Sequence, residues 1–410
     1  MKIRSILVFI LALSACTGLS AQDYGIEMIK SLIEVSDNTD IKEQGRYMVF
    51  VPSDRTIIMS MPDAQREEME RVYSIVQSKF PQDREAKMTK TLRTPISAEP
   101  KLYFQGRYTN LTVIYSDAQE MRAEAEVICR GGKQKNVDEA LGSVYIDLKK
   151  TGNTVYLSSG INGSLGNNTS VTIDIQLFLP ADTRIELDSK YGNVRLPSLD
   201  RDLRCDLSYG NLSTENLTGS TNIVSVKYGS ISMENTPRLD LTLSYGKLTA
   251  GDIGELKVNS RYSTLRVDNL NVIDISSQYD NLQLRKLDRL SATTAHSTIR
   301  IDELTGSIDI ADLKYGGLEI SKTYPEFSKI NITSSYSNIK IGLMPECNFL
   351  FELSARYGSI NIKDIELSES RISSTNNRHT YHEGRVGAST PSGGNITINV
   401  SYGNIIFKKY

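Results

Sequence analysis

A chain of 410 residues has room for two or three ordinary domains or for one long repeat array. Its 47 basic and 49 acidic residues nearly cancel, and without Lys2 and Arg4 at the N-terminus, 45 face 49, a net of −4. Nothing in that balance draws the protein to nucleic acid or to an anionic bilayer.

Residues 1–21 read as an export signal: Lys2 and Arg4 precede an apolar core, Ile6 to Ala15, that is too short to span a membrane. Two processing sites compete. Leu13-Ser14-Ala15-Cys16 resembles a lipobox, which would place a lipid anchor on Cys16. Leu19-Ser20-Ala21 before Gln22 resembles an ordinary signal-peptidase site. Residues 22–98 do not repeat. Tyr47 to Val51 and Thr56 to Met59 suggest strands, and Met69, Val72, Tyr73, Val76 and Phe80 recur at helical spacing after Pro62-Asp63. A small α/β segment is expected there.

From Lys101 a weaker pattern begins, with Leu102, Phe104, Tyr108, Leu111 and Val113 as a degenerate first copy of a repeat unit. Strands are expected around Ala125 to Cys129, Val144 to Leu148 and Val171 to Phe178, so residues 99–180 read as the lead-in or cap of an array.

Residues 181–410 carry the array. Tyrosine before a small or polar residue recurs at Tyr191, Tyr209, Tyr228, Tyr245, Tyr262, Tyr279, Tyr315, Tyr336, Tyr357 and Tyr402, and His296 fills the vacant slot. Up to Tyr357 the intervals are 17 to 21 residues. An aliphatic residue stands three places after each ring, and apolar residues recur five places after it and four and six before it, as Ile185 and Leu187 do before Tyr191 and Val194 and Leu196 after it. Period-two alternation means strands with one buried face. A unit this short cannot bury that face alone, so the units must stack. The reading is all-β: a parallel β-solenoid of about eleven rungs.

Glycine follows the ring at Gly192, Gly210, Gly229, Gly246, Gly316, Gly358 and Gly403 and is expected to supply a positive φ at the corner. The ring is in phase with the inward positions, so the tyrosines are expected to form a stacked ladder that closes one end of the core, their hydroxyls reaching water, with a glycan-stacking strip as the functional alternative. In stacked register, Arg184 should meet Asp202, Glu186 should meet Arg204, and Asp188 should lie over Asp206. Residues 366–394, rich in Ser, Asn and Gly, read as a loop insertion before a last rung whose Lys408 and Lys409 place charge at the rod's end.

The run Ser-Lys-Tyr-Gly-Asn-Val-Arg-Leu (189–196), its later copies and Ile-Asn-Val-Ser-Tyr-Gly-Asn-Ile-Ile-Phe (398–407) resemble the β-strand-repeat "putative adhesin" family of bacterial envelope proteins. The resemblance spans about residues 99–410. It implies a parallel β-solenoid in an exported protein, and it carries no defined functional residues.

Chemistry is sparse. Asp188 and Asp206 are a carboxylate pair of the kind a retaining glycosidase uses, but ladder stacking explains them equally well. His379, His382 and Glu383 have metal-like spacing without further ligands. Cys129, Cys205 and Cys347 read as small buried hydrophobes. The expectation is a non-catalytic exported protein with no cofactor and no metal, taken as a monomer. It would be an adhesin or interaction scaffold at the cell surface or in the periplasm, with an unknown protein or glycan as partner and a membrane link only through Cys16. A periplasmic structural or sensing component is the alternative, and a polysaccharide-cleaving β-helix a remote one.

Overall fold

A computed structural model describes residues 46–50, 56–61, 84–166, 168–375, 378–387 and 393–410. The leader, Cys16 and the helix expected at 62–80 lie outside them. The chain divides into two compact units, 1–83 and 84–410. In the first, β1 (Arg46–Phe50) and β2 (Thr56–Met61) pair antiparallel, at the positions the sequence suggests.

The second unit is a solenoid. Its first rung is β4 (Lys101–Arg107) and β5 (Thr109–Tyr115), and β10 (Arg184–Lys190) and β11 (Val194–Leu196) lie directly on it in parallel register. Rungs then continue along the chain from β12 (Leu203–Ser208) to β23 (Asn338–Leu343), each pairing with the next. Four strands, β17 (Lys247–Arg261), β18 (Thr264–Gln278), β19 (Asn281–Ala295) and β20 (Thr298–Lys314), run from one aromatic corner to the next. Along β17 the inward residues are Leu248 and Ala250, then Ile253, then Leu256, Val258 and Ser260. Spacing of two lengthens to three at two places, and each marks a bend. With the aromatic corner, such a rung has three sides, and one continuous core runs from Leu102 to Phe407.

Parallel register places like on like. Asp188 lies opposite Asp206 and Glu186 opposite Arg204, as expected. The Glu186 carboxylate lies 2.6 Å from Lys101 Nζ and 4.0 Å from Arg204 Nε. Arg184 and Asp202 stand one place before the paired stretch of β10 and β12 and are not bonded to each other: Asp202 accepts from Ser220 Oγ and the Thr221 amide.

Both ends are closed by antiparallel strands, which hide edges that parallel rungs would leave open. At the start, β8 (Thr154–Ile161) and β9 (Thr169–Leu179) pair with β4 and β5. The antiparallel strands β7 (Val144–Thr151), β6 (Glu120–Gly131) and β3 (Arg84–Pro95) then complete the cap. β3 falls within the non-repeating 22–98 segment, yet it pairs with β6 along its whole length, so the fold boundary is at 83/84. Helix α1 (Gln134–Ser143) was not anticipated. It buries only Val137 and Ala140, too few apolar positions to signal a helix.

The far end departs from chain order. β28 (Gly394–Ser401) pairs with β22 (Lys329–Ser335) on one side and β24 (Phe349–Arg356) on the other. β29 (Ile405–Lys409) likewise pairs with β23 and β25 (Ile360–Asn361). The last rung in sequence is thus the penultimate rung in space. Lys408 and Lys409 do not mark the rod's end, because they lie in register with Gly342 and Leu343.

Nor is 366–394 a loop insertion. β26 (Glu369–Thr375) and β27 (His379–Val386) form an antiparallel hairpin added to β24. Its outer face is wet, so the pair needs few apolar residues and its composition resembles a loop.

His382 of β27 is buried, with its ring edge-on to Phe351 at a centroid distance of 5.2 Å. Leu353 and Ile372 are its cross-strand partners, while Glu352, Glu383 and Arg371 occupy the opposite face. Burial pushes the imidazole pKa below its ordinary 6.5, and its Nε2 has no partner. The unfolded chain therefore binds this proton more readily. The contribution to stability is complete above pH 6.5 and is lost as pH falls below that value towards the folded pKa. Hydrogen exchange should show the 379–386 amides losing protection between neutral and mildly acid buffer. A His382→Leu variant should lack that loss, and equal loss in both would rule His382 out as its cause.

Candidate interaction surface

The corner residue is built differently from the sequence expectation. The positive φ belongs to the aromatic residue, not to the glycine: Tyr191 is at 62°, Tyr262 at 53° and His296 at 55°. A left-handed residue inverts the alternation, so the ring points out of the barrel instead of closing its core. Tyr228 is 39% exposed and Tyr315 53%, with the other repeat tyrosines between them.

Glycine serves close approach. A Cβ on Gly192 would lie 1.9 Å from the Thr109 carbonyl oxygen, and one on Gly210 1.9 Å from that of Gly192. Where Ser263, Asp280, Ser297 or Ser337 replaces glycine, the side chain turns inward and accepts the previous rung's amide. Gly246 N donates to Ser263 Oγ, and Ser263 N to Asp280 Oδ1 at 2.6 Å. Asp280 is buried and also accepts from Ser260 Oγ (2.6 Å), Ser277 Oγ (2.7 Å) and the Gln278 amide. Asp280→Ala would leave these donors unpaired inside the barrel and should cost about 3 kcal/mol or more. Chemical denaturation measures this, and a midpoint equal to that of the parent would refute the role.

Rung spacing of about 4.8 Å sets the ring spacing. Rings stack continuously, from Tyr108 on Tyr191 at 5.2 Å, through Tyr279 on His296 at 4.5 Å, to Tyr336 on Tyr402 at 4.7 Å and Tyr357 on Tyr402 at 4.8 Å. Tyr108 is therefore a full member of the ladder, and the spatial order confirms that Tyr402 lies inside Tyr357. Every ring but the two terminal ones has both faces covered. What remains exposed is a line of ring edges and phenolic hydroxyls, and those hydroxyls have no protein partner among the described residues.

The row just after the corner is an amide ladder. Asn110 Oδ1 accepts from the Asn193 amide, Asn193 Oδ1 from the Asn211 amide, and Asn338 Oδ1 from the Asn404 amide. These side chains tie one rung to the next at the outer surface.

The family profile described as Toastrack DUF4097 matches residues 101–405. The chain belongs to the Toastrack family. The match begins at β4, the first rung of the solenoid, and ends in β29. No curated protein matches. Among solved structures, a "putative adhesin" from Parabacteroides merdae is 11% identical, covering 61% of this chain and 95% of its own, with a TM-score of 0.31. One from Bacteroides fragilis is 14% identical, covering 62% and 97%, with a TM-score of 0.26. A "putative cell adhesion protein" from Clostridium sporogenes is 10% identical, covering 79% and 100%, with a TM-score of 0.16. The fold assignment rests on strand register and the family match.

The catalytic and metal-like constellations do not assemble into sites. Asp188 and Asp206 are both exposed on the outer face of adjacent rungs, and Asp188 accepts a long 3.4 Å bond from Gln105. They do not line the shallow depression at Asn216, Asn235, Asp252 and Asn269. On β27 the odd separation of His382 from His379 puts them on opposite faces, and His379 Nε2 bonds Ser354 Oγ at 2.9 Å. Cys129, Cys205 and Cys347 are free and buried. Burial pushes all three thiols up, Cys347 to about 11, which leaves little nucleophilic thiolate. Among the described residues, no helix is long and apolar enough to cross a membrane.

Proposed function

We propose that this Toastrack chain is a non-catalytic, adhesin-like scaffold of the bacterial envelope, exported through the leader at 1–21. Its solenoid presents the tyrosine-lined corner to a partner outside the cytoplasm. The observation that carries this reading is the unbroken exposed aromatic ladder. An aligned row of half-exposed tyrosines over roughly 50 Å is far more contiguous than the isolated surface aromatics of ordinary monomers, and tyrosine is enriched where proteins bind. The carboxylate pair stands exposed on the outer face of adjacent rungs and the β27 histidines point to opposite faces of their strand, which supports a binding role over a catalytic one.

The test is protease accessibility of an epitope tag inserted between residues 388 and 392, on intact and on lysed cells. Cleavage on intact cells is expected. Protection until lysis would overturn surface presentation and move the search to periplasmic partners.

A further inference from the structure

The outward row immediately before the ladder is in unbroken register, from Arg107 over Lys190 and Ser208 to Lys227, Ser244 and Arg261, and onward to Arg356. It contains no carboxylate along its length. Neither does the ladder, nor the amide row on its other side. In a chain where acidic residues slightly outnumber basic ones, three adjacent rows free of acid form a distinct electrostatic stripe.

All but one of its cations are also unspent: Lys314, in register with Ala295 and Ser335, pairs with Asp312 at 2.6 Å. Arg107, Lys190, Lys227, Arg261 and Arg356 form no ion pair, although eighteen ion pairs, from Lys87–Glu85 to Arg385–Glu369, occupy other described residues. Lys190 Nζ lies 5.2 Å from the Tyr191 ring centre and Lys227 Nζ 5.5 Å from that of Tyr228, so both ammonium groups lean onto the ladder. The stripe thus combines fixed positive charge with a line of phenolic hydroxyls that can donate or accept.

We infer that this stripe binds a linear anionic polysaccharide, laid along the rod with its carboxylates or sulfates on the lysine–arginine row and its hydroxyls on the tyrosine edges. A periodic row selects a periodic partner. Lys190, Lys227 and Arg261 stand on every second rung, about 10 Å apart, close to the length of one extended disaccharide. Single-stranded nucleic acid, the other common linear polyanion, gains much of its affinity by stacking bases on free ring faces. Here the faces are covered, so the stripe offers a nucleic acid charge alone. Neutral glycans that stack on ring faces are disfavoured for the same reason.

The inference rests on the interaction-scaffold reading, and its test is independent of where the protein resides. Fluorescently labelled hyaluronan fragments, with one uronate per disaccharide, are titrated with the full chain, with dextran and oligo-dT as comparators. Hyaluronan should bind, weaken as sodium chloride rises, and bind more tightly than either comparator. The Lys190→Glu, Lys227→Glu, Arg261→Glu triple should weaken it by roughly tenfold. An equal charge change at exposed Lys133, Lys150 and Lys363 should leave it within about twofold. The uncharged Lys190→Gln, Lys227→Gln, Arg261→Gln triple should show the same ordering at smaller amplitude, and circular dichroism confirms that each variant is folded.

Equal losses in the two charge-reversal triples would overturn the stripe as a site. Tighter binding of oligo-dT would overturn the polysaccharide assignment, and so would a parent chain that binds neither hyaluronan nor polygalacturonate. Glycan binding by a protein that proves protected on intact cells would leave this inference standing and sink surface presentation. The reverse pair of results would do the opposite.

Discussion

Removing residues 393–410 should unseat the far cap, not shorten the rod by one rung. β28 is sandwiched, pairing over its length with β22 on one side and with β24 on the other. Without it, β24 and its β26–β27 hairpin lose their parallel neighbour, and Phe349 loses Phe407 at 6.3 Å. Tyr357 loses its stacking partner in the same step, because it stacks on Tyr402. Hydrogen exchange should show amides of 349–356 and 379–386 losing their protection, while β17 to β20 keep theirs. In repeat arrays, stability is a sum of local rungs and nearest-neighbour interfaces, so damage at one end stays there. Deleting 349–392 instead should be milder. It joins β23 to β28 in the same parallel relation that every earlier rung has to the next. Equal protection of 349–356 in the truncated and full chains would refute the sandwiched placement.

Gly210→Val should be among the most disruptive single substitutions in the array. The added Cβ would meet the Gly192 carbonyl oxygen at 1.9 Å, and that oxygen belongs to backbone that cannot rotate away. The rungs must separate or the corner must distort, at a cost upward of about 3 kcal/mol. Valine is chosen because, unlike serine or aspartate at the equivalent Ser263 and Asp280, it cannot repay the displacement with a hydrogen bond to the previous amide. Gly142→Ala in α1 is the counterpart. Nothing lies within 4 Å of its added Cβ, so it should be neutral or stabilising by about 0.5–1 kcal/mol through helix propensity. Thermal melts of the two variants should move in opposite directions or leave Gly142→Ala unmoved. A Gly210→Val melt equal to the parent would show that the corner has slack.

The expected solenoid was legible because its physics is local and repeated. An inward residue every second place, a ring every 17 to 21 residues and a polar outward row each arise from the same constraint, that a short unit must stack to bury its face. Register came with it for the same reason, and Asp188 does lie over Asp206. The alternation also located β1, β2 and, in the first cap, β6, β7 and β9, but not β3 or β8. It could not locate α1, which buries two residues, or the β26–β27 hairpin, whose wet face carries Arg371 and Glu383 where a core strand would carry aliphatics.

The candidate surface was legible only in composition. Position along the chain identified the ladder residues but assigned them the wrong direction, because period-two counting assumes that every residue is extended. A single left-handed residue at Tyr191 and its copies breaks that count and moves the rings from core to surface.

Sequence by itself thus determined the fold class, the repeat unit, the ladder's members and the buried face, since each is set by neighbours a few residues away. Tertiary structure alone decided where the rings point, which residue bears the positive φ, and that the last rung sits inside the one before it. These depend on contacts between backbones that are one rung or many rungs apart. A carbonyl 1.9 Å from a missing Cβ, or a strand inserted between β22 and β24, leaves no periodic trace in the chain.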